Sequence, residues 1–154
     1  MFRKTQCLAC FIALVPMMSL AQEIFSESSP NFLVIMTDDQ GKWALGQYDP
    51  RIRTPNINYL AENGVRFDEA IAPVPVCSPA RASFFTGKTP SQHGVHDFLS
   101  TSDSGQHNWL EDEKLISEEL SQKGYSVGLF GKWHADTREW IHRKEFDEFL
   151  TYDE

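Results

Sequence analysis

Cys77-Ser78-Pro79-Ala80-Arg81-Ala82-Ser83-Phe84-Phe85-Thr86-Gly87 is the stretch on which the reading of this chain turns. Pro79 has no N–H to donate and a pre-set φ, so it suits the first turn of a helix, and Gly87 suits the position just past its end. Cys77 is thereby expected at a helix N-terminus, where unpaired N–H groups and the positive end of the dipole favour an anion. Arg81, one turn on, faces the same way as Cys77. Thiol, guanidinium and helix start converge on one point. From the residues alone Cys77 has two readings. One is a buried structural cysteine, the usual fate of a lone Cys. The other is a thiolate nucleophile of the tyrosine-phosphatase kind, whose phosphate loop needs five residues between Cys and Arg where this chain has three.

A third reading comes from resemblance. Cys-x-Pro-x-Arg, followed by Phe84-Phe85 and Thr86-Gly87, resembles the sulfatase signature in which the Cys is oxidised to formylglycine. The three fixed residues alone would match by chance on the order of one per cent of the time in a chain of this length. The longer match through Gly87 lowers that figure further.

The N-terminus reads Met1-Phe2-Arg3-Lys4, then an apolar run from Cys7 to Val15, then Pro16 and Ser19-Leu20-Ala21. A basic start, a short apolar region and a small-x-small site make residues 1–21 a signal peptide, too short an apolar run to span a bilayer. Cys7 and Cys10 lie inside it, neither at the place of a lipoprotein cysteine. Removal of residues 1–21 from the 154 leaves 133 residues with Cys77 as the single cysteine, and moves the net charge from −8 to −10 as Arg3 and Lys4 go. One exported chain with one Cys has no internal disulfide, which leaves Cys77 for other chemistry. The acidic balance excludes nucleic acid and anionic membrane as partners, and an anionic substrate would need its charge met locally. Residues 22–30 are a polar lead-in, and residues 31–154 are long enough to bury a core; the resemblance implies that they are the N-terminal part of a sulfatase catalytic domain.

Asn31 to Met36 is a continuous apolar run, the pattern of a strand buried on both faces of a parallel sheet. Asp38-Asp39 follow at its carboxyl end, where open α/β sheets place their ligands. Adjacent carboxylates repel unless a cation or a hydrogen-bond network holds them; the bland alternative is a turn with Gly41. Thr54-Pro55 opens a helix with Ile57, Leu60 and Ala61 on one face and Gly64 as its stop. Val65-Arg66-Phe67 and Ala70-Ile71-Ala72 read as extended. His93, His96, Asp97 and His107 lie in a polar stretch rich in Ser and Gly. A histidine pair at that spacing is a weak metal signal, and solvated loop residues are the more common case. Glu113 to Lys123 reads as a helix with Leu115, Ile116 and Leu120 at helical spacing, ended by Gly124. Tyr125 to Phe130 reads as a second buried strand, with Gly131-Lys132-Trp133-His134 at its carboxyl end. Three strand ends or helix starts therefore present Asp38-Asp39, Cys77-Arg81 and Lys132-His134 toward one edge.

Three further stretches resemble sulfatases: residues 54–67, a Thr-Pro-Asn-x-x-x-Leu-Ala-x-x-Gly-x-x-Phe run; residues 124–134, Gly-Tyr ending in Gly-Lys-Trp-His, with Val127 where the family has Thr or Ser; and Phe146-Asp147-Glu148-Phe149, preceded by Glu145 where the family has Gly. The resemblance implies an alkaline-phosphatase-like α/β sandwich with a largely parallel central sheet, here truncated to its N-terminal part. It implies a sulfuric ester hydrolase whose Cys77 becomes formylglycine through a maturation enzyme. Asp38 and Asp39, with the modified Cys77, would bind calcium; Arg81 and Lys132 would neutralise the sulfuryl group; His134 would act as general base. The substrate class implied is a sulfated small molecule or carbohydrate, and the location periplasmic or secreted, with no stable membrane insertion after signal cleavage. Further calcium ligands and a leaving-group acid belong to later parts of the family's sequence, so an incomplete, inactive chain is expected. A phosphonate or phosphate monoester hydrolase of the same superfamily, and an inactive chain that binds a sulfated ligand, are the alternatives.

Overall fold

The computed structural model describes residues 29–100, 107–137 and 142–152. Residues 1–21, read as a signal peptide, and most of the lead-in lie outside the described residues. The chain divides into two units, residues 1–36 and 37–154. In the first, the described residues 29–36 form no strand, and Phe32, Leu33, Val34, Ile35 and Met36 are all exposed. The expected doubly buried strand is therefore corrected. An apolar run becomes a buried strand only when ladder neighbours and covering helices meet it, and its composition specifies neither.

The second unit begins with a short 3₁₀ turn, Lys42–Ala44, and the helix α1, Pro55–Asn63. Pro55 stands at its first position as expected, and Gly64 follows its last. The cap differs in detail: Thr54 accepts the Gly46 N–H at 2.8 Å and donates to Asn58 at 2.9 Å, tying the preceding loop to the helix's first turn. The face expected to pack does not. Leu60 and the neighbouring Tyr59 are exposed, and α1 buries none of its residues.

The helix α2, Cys77–Thr86, is the central element. Pro79 lies in its first turn, and Gly87 closes it at φ 68° by donating its N–H to Ser83 O at 2.9 Å, a left-handed cap that glycine adopts at no steric cost. A one-turn helix α3, Pro90–His93, and the helix α4, Ile116–Gln122, pack against α2. The helix expected from Glu113 starts later, because the Leu115 N–H is taken by the Glu118 carboxylate at 3.3 Å and Leu115 itself turns into the core.

Two strands, β1 (Gly128–Lys132) and β2 (Glu148–Tyr152), pair in parallel with Gly128 opposite Glu148 and Lys132 opposite Tyr152. The strand expected over 125–130 is thus displaced toward the C-terminus. Val127 explains the shift: its N–H donates to the Asp147 carboxylate at 2.8 Å and its carbonyl accepts the Asp147 N–H at 2.8 Å, so the ladder proper opens one residue later. Nor is β1 buried on both faces, since Phe130 is 69% exposed. The sheet is parallel, as expected, and two-stranded among the described residues.

The core gathers Ala82 from α2, Val95, Leu110, Leu115, Trp133, Ala135 and Phe146. Trp133 sits at its centre, fully buried, with Phe85 at 4.6 Å and Phe146 and Phe149 just beyond 6 Å between ring centroids. The core therefore joins α2 to the segment that follows β1. Among the described residues no helix is long and apolar enough to cross a membrane.

Candidate active site

Lys132 closes β1, and the chain after it leaves the extended conformation at His134, whose φ is 42°. Trp133 and Ala135 enter the core, while Lys132 and His134 turn to the other side. The same packing that anchors Trp133 therefore aims the two polar side chains at α2. Gly131, at φ 109°, supplies a backbone conformation closed to other residues just before Lys132.

Lys132 is not a solvated loop residue. Its side chain is 7% exposed, and Nζ lies 3.0 Å from Asp38 Oδ2. Arg81, equally enclosed, reaches the same oxygen at 3.5 Å and donates from Nη1 to the Lys132 carbonyl at 2.6 Å. One carboxylate thus lies between an ammonium and a guanidinium brought from α2 and from the end of β1. The hydrogen bond from Lys132 holds the Asp38 carboxyl below the ordinary carboxylate range, against a smaller opposing effect of burial. Arg81 and Lys132 bring two enclosed cations to the Asp38 carboxylate beside the first turn of a ten-residue helix, a setting that suits an anion.

Cys77, the first residue of α2, is partly exposed and in no disulfide. Its neighbour Ser78 is fully buried and meets His134: Ser78 Oγ lies 3.1 Å from His134 Nε2, which lies 2.6 Å from the Leu99 carbonyl. Phe98 presents its ring edge-on to the imidazole at 4.8 Å. Among the described residues two other than glycine have positive φ, Asp39 at 50° and His134 at 42°, and both were expected at the site. Such conformations persist where the surroundings over-determine them.

Asp38 and Asp39 are hard oxygen donors of the kind calcium takes, but calcium takes about six to eight oxygens. Among the described residues no group of three or more His, Cys, Asp or Glu stands ready to hold a metal. The two carboxylates fit the ion in kind and would supply only part of its shell.

His93 is corrected. It is neither solvated nor in a loop: 3% exposed at the end of α3, it meets Ser83 Oγ through Nε2 at 2.9 Å and accepts the Val95 N–H at Nδ1 at 3.1 Å. Burial lowers its pKa, so it stays neutral with both nitrogens committed. Ser83 and His93 therefore form a structural tie. His96 and Asp97 are exposed, as expected of a loop.

Two contributors escaped the sequence reading. Ser78 lies inside the decisive stretch, and its proximity to Cys77 was its only signal. Asp136, 4% exposed, accepts the Trp109 and Leu110 N–H groups at 3.3 and 3.2 Å and so pins the segment after residue 106 beneath β1's continuation. No pattern distinguishes it from a surface carboxylate, because the Trp109 and Leu110 N–H groups it accepts lie more than twenty residues away.

Comparison with known proteins agrees with this geometry. The sulfatase family model matches residues 30–154, and the chain belongs to the sulfatase family. It is 41% identical over 117 residues to human arylsulfatase D, covering 68% of this chain and 18% of that protein. To rat steryl-sulfatase it is 38% identical over 136 residues, covering 79% and 23%. Among solved structures, the crystal structure of Ps i-CgsB superposes with a TM-score of 0.65 at 34% identity, over 75% of this chain and 27% of that one. The described helices and parallel strands are thus part of an alkaline-phosphatase-like α/β fold. The chain spans about a fifth of the length of the curated relatives it matches.

Proposed function

We propose that this chain carries the nucleophile end of a sulfuric ester hydrolase site, acting on a sulfated small molecule or carbohydrate. One observation carries the reading: Lys132 and Arg81, both enclosed, converge on Asp38 beside the helix start that bears Cys77. Cys77, oxidised to formylglycine by a maturation enzyme, supplies as its hydrate the hydroxyl that attacks sulfur. Arg81 and Lys132 neutralise the charge that grows on the sulfuryl oxygens, held in place before the reaction by α2, β1 and their mutual hydrogen bond. His134 takes the proton of the second hydroxyl, a role suited to imidazole near neutral pH. Asp38 and Asp39 are the carboxylates that would hold calcium, which adds positive charge at the sulfate oxygens when bound. Residues 1–21, read as a signal peptide, direct the protein to the periplasm or the exterior.

The experiment is made on the chain produced together with a formylglycine-generating enzyme. The peptide containing residues 77–81 is expected to show the mass loss of thiol-to-aldehyde conversion, abolished in Cys77→Ala. An unmodified thiol would remove the formylglycine reading. Paired aryl sulfate and aryl phosphonate assays on a purified full-length homologue distinguish a sulfatase from a phosphonate hydrolase. With two calcium carboxylates, binding of the ion by this chain alone is expected to be weak. Tight, stoichiometric calcium binding that survives Asp38→Asn would send Asp38 back to a purely structural role.

A further inference from the structure

We propose that Ser78, together with the Leu99 backbone carbonyl, is a positioning residue that holds His134 in the tautomer protonated at Nε2, leaving Nδ1 as the atom that accepts the proton. The inference rests on the reading of His134 as the base and says which nitrogen acts and what selects it. A backbone carbonyl can only accept, so the 2.6 Å contact between Leu99 O and His134 Nε2 requires a hydrogen on Nε2. Ser78 Oγ, 3.1 Å from the same nitrogen, shares that hydrogen and accepts the Leu99 N–H at 3.0 Å. One hydroxyl thereby touches both the ring and the peptide that faces it. It does so in a fully buried position where water does not compete. Phe98 limits rotation of the ring from its side.

The opposite tautomer is disfavoured twice. It would set the Nε2 lone pair against the carbonyl oxygen at 2.6 Å, and it would bury an N–H at Nδ1. His134 Nδ1 is shielded from solvent and has no hydrogen-bond partner among the described residues, so a hydrogen there would have no acceptor. A lone pair in that place costs less than a stranded donor, and no protein group among the described residues occupies it. His93 provides the internal contrast. It has the same tautomer, but its Nδ1 is consumed by the Val95 N–H, and it can take no proton. The two histidines differ at Nδ1, which is bonded in His93 and without a partner among the described residues in His134.

The test reads the ring without substrate, so it is independent of turnover. The chain ending at Glu154 is labelled with ¹⁵N-histidine, and long-range ¹H–¹⁵N spectra are recorded near neutral pH, His134 being assigned through His134→Gln. The expected spectrum shows Nε2 protonated and Nδ1 bare, with an excess over the other tautomer of about tenfold, what one net hydrogen bond supplies. Because Ser78 also anchors the Leu99 N–H, Ser78→Ala releases the carbonyl that faces the ring and is expected to yield a mixture of tautomers, and Ser78→Thr to restore the single one. A wild-type His134 protonated at Nδ1 overturns the inference whether or not the variants fold. So does a folded Ser78→Ala protein with an unchanged His134 spectrum. The expected tautomer in a protein whose Cys77 is never modified would instead remove the functional reading alone.

Discussion

Lys132 and Arg81 share one carboxylate, and that sharing has a measurable consequence. Asp38→Asn keeps the shape and removes the negative charge between two enclosed cations. Breaking a well-buried pair is strongly destabilising, but Asp38 is 40% exposed, so the expected loss is discounted to about 1–2 kcal/mol. Urea unfolding at pH 7 measures it, and an unchanged midpoint would mean that solvent already screens the cluster. The order Lys132-Trp133-His134 is readable in the sequence as polar, apolar, polar. That alternation, once Trp133 is buried, aims Lys132, whereas the direction of His134 also depends on its left-handed φ of 42°. What the sequence could not show is that Asp38 would be the counter-ion, since a pair of carboxylates after an apolar run serves equally well as a turn. Ser78 was equally hidden: a serine in a helix's first turn reads as a local feature until another segment meets it.

Among the elements, the contact between α4 and the 3₁₀ turn His142–Glu145 carries its own pH dependence. Burial pushes the Glu145 carboxyl up to about 7 from an ordinary 4.5, and the nearby Glu118 carboxylate adds to the effect. The folded value lies above the unfolded one, so the fold favours the protonated acid. That contribution is fully present below about 4.5 and is lost as the pH rises through about 7. Thermal midpoints of wild type and Glu145→Gln are therefore expected to diverge between pH 5 and 8, the variant holding its stability as the wild type declines. Parallel curves would show that Glu145 is ionised throughout. The elements themselves were legible to different degrees. Pro79 and Gly87 bound α2, and Pro55 and Gly64 bound α1, because those residues act on the backbone locally. The start of β1 and the whole of β2 were not legible, for the Val127–Asp147 bracket joins residues twenty apart.

Across the whole molecule, the small core hangs on one side chain. Trp133→Ala is expected to cost about 3–5 kcal/mol, enough to unfold a domain of ordinary marginal stability. Loss of the cooperative transition in circular dichroism would agree; a loss under about 1 kcal/mol would mean that Phe85, Phe146 and Phe149 close over the gap. The motif that bears Lys132 and His134 is thus also the motif that holds α2 to β1, so the site and the core stand or fall together. Local chemistry was determined by sequence alone: the helix that begins at Cys77, the left-handed cap at Gly87, and the spacings through which the family is recognised. Tertiary structure alone decided the rest: that the apolar run 32–36 and the outer face of α1 stay exposed, that His93 is buried with both nitrogens satisfied, and that His134 keeps one nitrogen open. Propensity, capping and backbone freedom act within a turn or two of the chain, whereas burial and hydrogen-bond satisfaction are settled by residues that only folding brings together.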